Sequence, residues 1–160
     1  MQEISSLKKE RKLTPIPIIT DPKILKEKSK PCFFHSLDIL VNQTIAQELI
    51  DTALFHQDKC IALAANQIGY NKKICIISTG AHFLLMVNPV VLGLKTHGIK
   101  VWHENCLSFP NHKTGIASRR FKKVKVQYQI ITGKTYQVEL QGLEAAAIQH
   151  CIDHFNGKLI

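Results

Sequence analysis

Gln149-His150-Cys151-Ile152-Asp153-His154-Phe155-Asn156-Gly157 is the stretch that decides how this chain is read. His150 and His154 stand four apart in a segment with helical character. Their side chains therefore leave one face, about 6 Å apart at the base, close enough to share a metal ion. Metallohydrolases with this spacing usually carry Glu directly after the first His, as general base for the water that the ion activates. Cys151 stands there instead. Upstream, Leu143 and Ala147 continue the histidine face, and Gly157 supplies a C-terminal stop.

Working outward, Val124–Ile131 and Thr135–Leu140 flank Thr132-Gly133-Lys134, a hairpin signal. Short apolar runs bounded by Gly, Asn or Pro predict strands at Ile74–Ile77, Phe83–Val87 and Val90–Leu94. Ahead of them an i, i+4 stripe of Leu37, Val41, Ile45, Leu49 and Ala53 predicts a helix over Ser36–His56, with Ser36 as its N-cap. Pro15, Pro17, Pro22 and Pro31 mark an extended opening with turns, because proline fixes φ and removes a donor. The order of helix, antiparallel strands and metal-bearing helix predicts an α+β fold.

The chain has 160 residues, 45% of them apolar and 21% charged. That is enough for one domain with a continuous core. The expected division is a mobile basic arm over residues 1–14 and a single domain over residues 15–160. No apolar run reaches the ~18 residues of a membrane helix, and Met1-Gln2-Glu3-Ile4 lacks the order of a signal peptide; a cytoplasmic location without membrane contact is expected. Five cysteines, odd in number and irregular in spacing, argue for reduced thiols. Among them Cys75, inside Ile74-Cys75-Ile76-Ile77, reads as a small buried hydrophobe. The formal charge of +9 reads as solvated charge rather than a nucleic-acid surface, since no interleaved aromatic motif accompanies the basic runs.

A metal site needs a third protein ligand. The polar segment Trp102-His103-Glu104-Asn105-Cys106-Leu107-Ser108-Phe109-Pro110 makes Cys106 stand out among the thiols and the remaining histidines. Here three ordered segments resemble the motifs of the peptide deformylases. Cys60-Ile61-Ala62-Leu63-Ala64-Ala65-Asn66-Gln67 is similar to the family's Gly-x-Gly-x-Ala-Ala-x-Gln. Glu104-Asn105-Cys106-Leu107-Ser108 is similar to Glu-Gly-Cys-Leu-Ser, and Gln149 to His154 to Gln-His-Glu-x-Asp-His. The flanks Asp21-Pro22-Lys23-Ile24-Leu25, Val87-Asn88-Pro89 and Gly142-Leu143 extend the resemblance over roughly residues 17–160.

The resemblance implies a deformylase-like fold with antiparallel sheets around the metal-bearing helix, and removal of formate from N-terminal formyl-methionine of new proteins. It implies Cys106, His150 and His154 as ligands of one divalent metal, Fe(II) or Zn(II), with Ni(II) or Co(II) as alternatives. Gln67 and the Leu107 N–H would hold the oxyanion. Ile61, Ala62 and Glu104 would contact substrate. The partners implied are formyl-methionyl peptides of nascent chains; oligomeric state stays open.

Departures from the motifs carry their own expectations. Cys60 and Ala62 replace two glycines, which narrows the cleft. Asn105 replaces a third, as the residue that best tolerates positive φ. Cys151 replaces the carboxylate that moves protons, a loss worth typically ~10²–10⁴ in rate. Three roles stay open for its thiol: inert residue, fourth ligand, or replacement base. Its turn of about 100° from His150 around the helix favours an open coordination position over a closed four-ligand site. Two function classes follow: an amidase of reduced activity, or an inactive metal-stabilised protein that binds formyl-methionyl peptides or is only structural. Outside the motifs, His103 and His112 read as solvated and Trp102 as a packing anchor. The family's active-site arginine is matched by Arg119 or Arg120.

Overall fold

A computed structural model describes residues 12–93, 98–112 and 114–160. Its elements in order are α1 (Pro22–Leu25), α2 (Ser36–Phe55), β1 (Ala62–Ala64), a 3₁₀ turn (Ala65–Ile68), β2 (Ile74–Ser78), β3 (Phe83–Leu92), β4 (Ile99–Glu104), β5 (Ile116–Phe121), β6 (Lys123–Gln129), β7 (Thr135–Gln141) and α3 (Gly142–Phe155). The fold is α+β, as the sequence predicts.

Five strands form an antiparallel sheet in the order β1-β2-β3-β6-β7, while β4 and β5 form a separate ribbon. Alternation along the strands divides the core in two, because successive side chains leave opposite faces. Leu63, Ile74, Ile76 and Val87 face α2, whose Ile45, Leu49 and Ala53 cover them. Ala64, Cys75, Ile77, Met86, Val124, Val126 and Leu140 face α3. Cys75 is fully buried there, the hydrophobe that its apolar run implies.

The α2 stripe is half as predicted. Ile45, Leu49 and Ala53 are buried, but Leu37, Leu40 and Val41 stand 78%, 60% and 50% exposed. The first turns of the helix run past the edge of the sheet's apolar face, so spacing alone assigns them the wrong side. Ser36 is the first helical residue rather than the cap; His35 occupies the cap position without a side-chain hydrogen bond.

Other boundaries also moved. The prolines permit a one-turn helix, α1: Pro22 is at its start, and the Asp21 carboxylate accepts from Lys23 N–H at 2.8 Å. The two strands expected at Phe83–Val87 and Val90–Leu94 are one strand, β3, with a register shift between Val87 and Val90; Leu94 lies outside the described residues. Asn88, in that irregularity, takes the positive φ of 49° that was expected of Asn105. Its side chain bridges Cys32 N–H, Cys32 C=O and Gln129, so local hydrogen bonds hold the left-handed backbone. Of the β4–β5 ribbon the sequence marks only a strand end, in the polar segment Trp102–Pro110, because its alternation leaves no continuous apolar run.

The hairpin at Thr132-Gly133-Lys134 is present, with Gly133 at φ 89°. α3 ends at Phe155 with Asn156 as its C-cap, and Gly157 adopts φ 70°, pressed so closely on the Lys26 carbonyl that an added Cβ would collide with it. Ser29 N–H donates to Phe155 C=O at 2.8 Å, fastening the α1 region to the end of α3. The arm expected over residues 1–14 lies outside the described residues up to 11. Its last residues pack on the domain: Leu13 touches the α2 core, and Thr14 donates to Asp51.

Candidate metal centre and cleft

α3 carries two stripes side by side. Ala145, Ile148, Cys151 and Phe155 meet the sheet. Leu143, Ala147 and His150 line a cleft of about 560 Å³, whose other walls come from β4 (Trp102, His103, Glu104), the Cys106–Pro110 loop and the start of β1 (Ile61, Ala62). Both β1 and this loop deliver their residues to the base of α3, since β1 is the edge strand packed nearest it.

Cys106, His150 and His154 present ligand atoms within 4.8 Å of one another, all buried. Cys106 Sγ lies 3.4 Å from His154 Nε2, and His154 Nε2 lies 3.1 Å from His150 Nε2. Tetrahedral bonds of about 2.1 Å to nitrogen and about 2.3 Å to sulfur separate ligand atoms by about 3.4–3.6 Å. These two spacings are within a few tenths of an ångström of those edges, and the third, from Cys106 to His150, is within 4.8 Å. The one-sulfur, two-nitrogen donor set suits zinc or iron-group ions. The residues therefore fit a divalent metal.

Around them is a shell that orients the imidazoles. His150 Nδ1 lies 3.1 Å from Glu104 Oε2, leaving Nε2 to face the group. Arg120 holds the same carboxylate from two nitrogens, at 2.6 and 2.8 Å, and reaches Asp153 on α3 with a third. Between the two arginines left open by the sequence, the buried Arg120 is the one in the site; Arg119 is exposed. Asn66 donates to the His154 carbonyl at 3.0 Å.

These neighbours set the charges. Burial raises the Glu104 carboxyl, but hydrogen bonds from Arg120 and His150 outweigh it and hold the group down at about 2. Burial also opposes a charge on His150, yet the Cys106 sulfur and Glu104 lift it to about 10. His154 is pushed down to about 3 by burial, then by the positive neighbours His150 and Arg120.

A family model described as "Polypeptide deformylase" matches residues 14–160. The chain belongs to the polypeptide deformylase family. A peptide deformylase of Thermotoga neapolitana is 32% identical over 145 residues, covering 91% of this chain and 83% of the relative. The structure is similar to that of peptide deformylase from Thermotoga maritima, with TM-score 0.76 and 32% identity over 93% of this chain and 95% of the other. It is also similar to a Met-Ala-Ser-bound class I type b peptide deformylase from Acinetobacter baumannii, with TM-score 0.82 and 26% identity over 91% and 97%.

Within this deformylase framework the other candidates are placed as follows. Gln67 is fully buried beside Cys106. Leu107 lines the cleft, and its N–H has no hydrogen-bond partner among the described residues. Trp102 lines the cleft while Lys100 Nζ sits 4.3 Å from its ring centroid, so it packs and forms wall at once. His103 and His112 are exposed at the rim.

Cys151 is placed differently from the three candidate ligands. It is fully buried, stands outside the three-ligand group and does not line the cleft. It shares the α3-facing core cluster with Cys75 of β2; the neighbouring Cys75 thiol, followed by burial, pushes its pKa well up. The turn of about 100° from His150 puts it on the sheet-facing stripe. Sequence reasoning missed Ser108 and Asp153 as members of the site, although both lie inside the quoted motifs. A small polar residue there gives no signal until its partner is known.

Proposed function

We propose that this chain is a metal-dependent hydrolase that removes the formyl group from N-terminal formyl-methionine of new proteins. The observation that carries this reading is the convergence of Cys106, His150 and His154 at the base of the cleft. They would hold one divalent ion, Fe(II) or Zn(II), which when bound would supply Lewis acidity.

The chain's own residues do the rest. The free edge of β1 at Ile61 and Ala62 pairs with the peptide backbone, as an edge strand can. Leu143, Ala146, Ala147 and Trp102 enclose the first side chain. The Leu107 N–H and the Gln67 amide stabilise the oxygen that gains charge when water adds to the formyl carbon. Glu104 and Arg120 keep His150 in the tautomer that faces the ion. In the overall reaction a C–O bond forms, the C–N bond breaks, formate departs and the amine takes a proton. The proposed location is the cytoplasm, where nascent chains appear.

A second reading rests on Cys151. With a cysteine at position 151, buried on the sheet-facing side of α3, no carboxylate from that position serves the proton-transfer step, which favours slow turnover or simple binding of formyl-methionyl peptides. The test is formate release from a formyl-Met peptide, together with metal analysis of wild-type protein and Cys106→Ser. Metal-dependent release supports the enzyme. Tight peptide binding without release supports the second reading. Metal content undiminished by Cys106→Ser sinks the ligand assignment.

A further inference from the structure

The Gln67 amide is engaged at both ends. Its Oε1 accepts from Ala64 N–H at 3.0 Å. A backbone N–H can only donate, so this contact fixes which end of the amide is oxygen. The two Nε2 hydrogens are then directed at Ser108 Oγ, 3.1 Å away, and Cys106 Sγ, 3.4 Å away. Gln67 and Ser108 are 0% and 1% exposed, so water does not compete for either bond. An amide nitrogen carries two hydrogens; both are committed before any ligand arrives. For Gln67 to serve a substrate oxygen, one of these bonds has to be released.

The two bonds are unequal. Ser108 Oγ is a neutral oxygen at ordinary hydrogen-bond distance. Cys106 Sγ is a longer, softer acceptor, and a sulfur that donates charge to a cation has less left for an N–H. The sulfur-directed hydrogen is the one that an incoming oxygen can take.

We propose that Ser108 is a positioning residue: by holding one amide hydrogen of Gln67 it aims the other at Cys106 Sγ, and that hydrogen is shared between the ligand sulfur and the carbonyl oxygen of a bound peptide. The inference rests on the reading of Cys106 as a metal ligand. It makes the cleft and the ion report on each other. When an oxygen takes the hydrogen, the thiolate loses a hydrogen bond that stabilises its charged, metal-binding form, and the ion registers the loss. Without the Ser108 hydroxyl, the amide is free to rotate and serves neither acceptor well.

The test uses the intact protein loaded with cadmium-113. In wild type, a through-hydrogen-bond coupling between a Gln67 side-chain amide proton and the cadmium nucleus is expected; a short peptide hydroxamate abolishes it and shifts the cadmium resonance. Ser108→Ala removes the coupling and lowers cadmium affinity about tenfold, the lower end for a lost outer-shell partner. Ser108→Thr, which keeps the hydroxyl, restores both. In a Gln67→Met background Ser108→Ala changes cadmium affinity by less than about twofold, because a residue acting through Gln67 has nothing left to position. A cadmium-loaded wild type without the coupling overturns the proposal, as does an equal loss in both backgrounds. Should Ser108→Ala fail to fold, the wild-type coupling decides alone. Protein that takes up no cadmium overturns the ligand assignment along with the proposal, which separates that failure from the others.

Discussion

A thiol at position 151 is shorter than a glutamate and makes one weak hydrogen bond where a carboxylate accepts several. In this structure even that thiol is buried in the sheet-facing cluster that includes Cys75, outside the cleft lining. Raised in pKa and without access to the cleft, it is the inert kind of cysteine rather than the reactive kind. The expected outcome is that Cys151→Glu releases formate at least ~10²-fold faster than wild type, the usual contribution of a general base. Formate assays on the two metal-loaded proteins check this, and equal rates would show that the missing carboxylate does not limit the chemistry. The same variant should melt lower, because the helix directs position 151 toward Cys75, Ile77 and Met86, where a carboxylate has to leave or be desolvated.

At the scale of elements, one ion-pair group ties β4, β5 and α3 together. Glu104, Arg120 and Asp153 each come from a different element, and Glu104 and Arg120 side chains are only 11% and 7% exposed. The folded carboxyl of Glu104 titrates at about 2 against an ordinary 4.5. A depressed carboxyl stabilises the fold above its unfolded value and loses that contribution as pH falls through the folded one. The difference corresponds to about 3 kcal/mol. Glu104→Gln should therefore lower the neutral-pH melting temperature by roughly 5–10 °C and flatten the loss of stability between pH 4.5 and 2. Thermal melts across that range are the measurement; parallel acid limbs would sink the idea.

α2 gives a second test at this scale. Leu49 is fully buried between helix and sheet, whereas Leu37 is 78% exposed on the same helix. Leu49→Ala should cost about 2–5 kcal/mol in denaturant melts, and Leu37→Ser less than about 0.5 kcal/mol. A large effect at Leu37 would mean that its face is covered in solution.

For the whole molecule, the three candidate ligands come from the loop after β4 and from helix α3, so an ion bound by them would link metal binding to stability. A divalent ion at a hundred times its dissociation constant should add about 2.7 kcal/mol, raising the melting temperature by roughly 5–10 °C. Calorimetry with and without chelator checks this, and Cys106→Ser should abolish the shift. No helix among the described residues is long and apolar enough to cross a membrane. Most of the buried apolar side chains among the described residues lie in the two clusters on either face of the sheet.

The cluster of Cys106, His150 and His154 was legible because helical spacing places the two histidines together by local geometry alone, and because the motif around Cys106 is contiguous. The hairpin at Gly133 and the α+β order were legible for the same reason: each follows from neighbours in the chain. What needed the tertiary structure were the choices between partners far apart in sequence. Arg120 rather than Arg119 enters the site because Trp102 pairs with Ser118 in the ribbon register, which turns Arg120 inward beside Glu104. Leu37 and Val41 are exposed because the sheet ends before α2 does, and no periodicity encodes where a neighbouring sheet stops. Cys151 turns away from the ligands because α3 packs its adjacent stripe on β2. The sequence names the residue; only the packing decides which way its thiol faces.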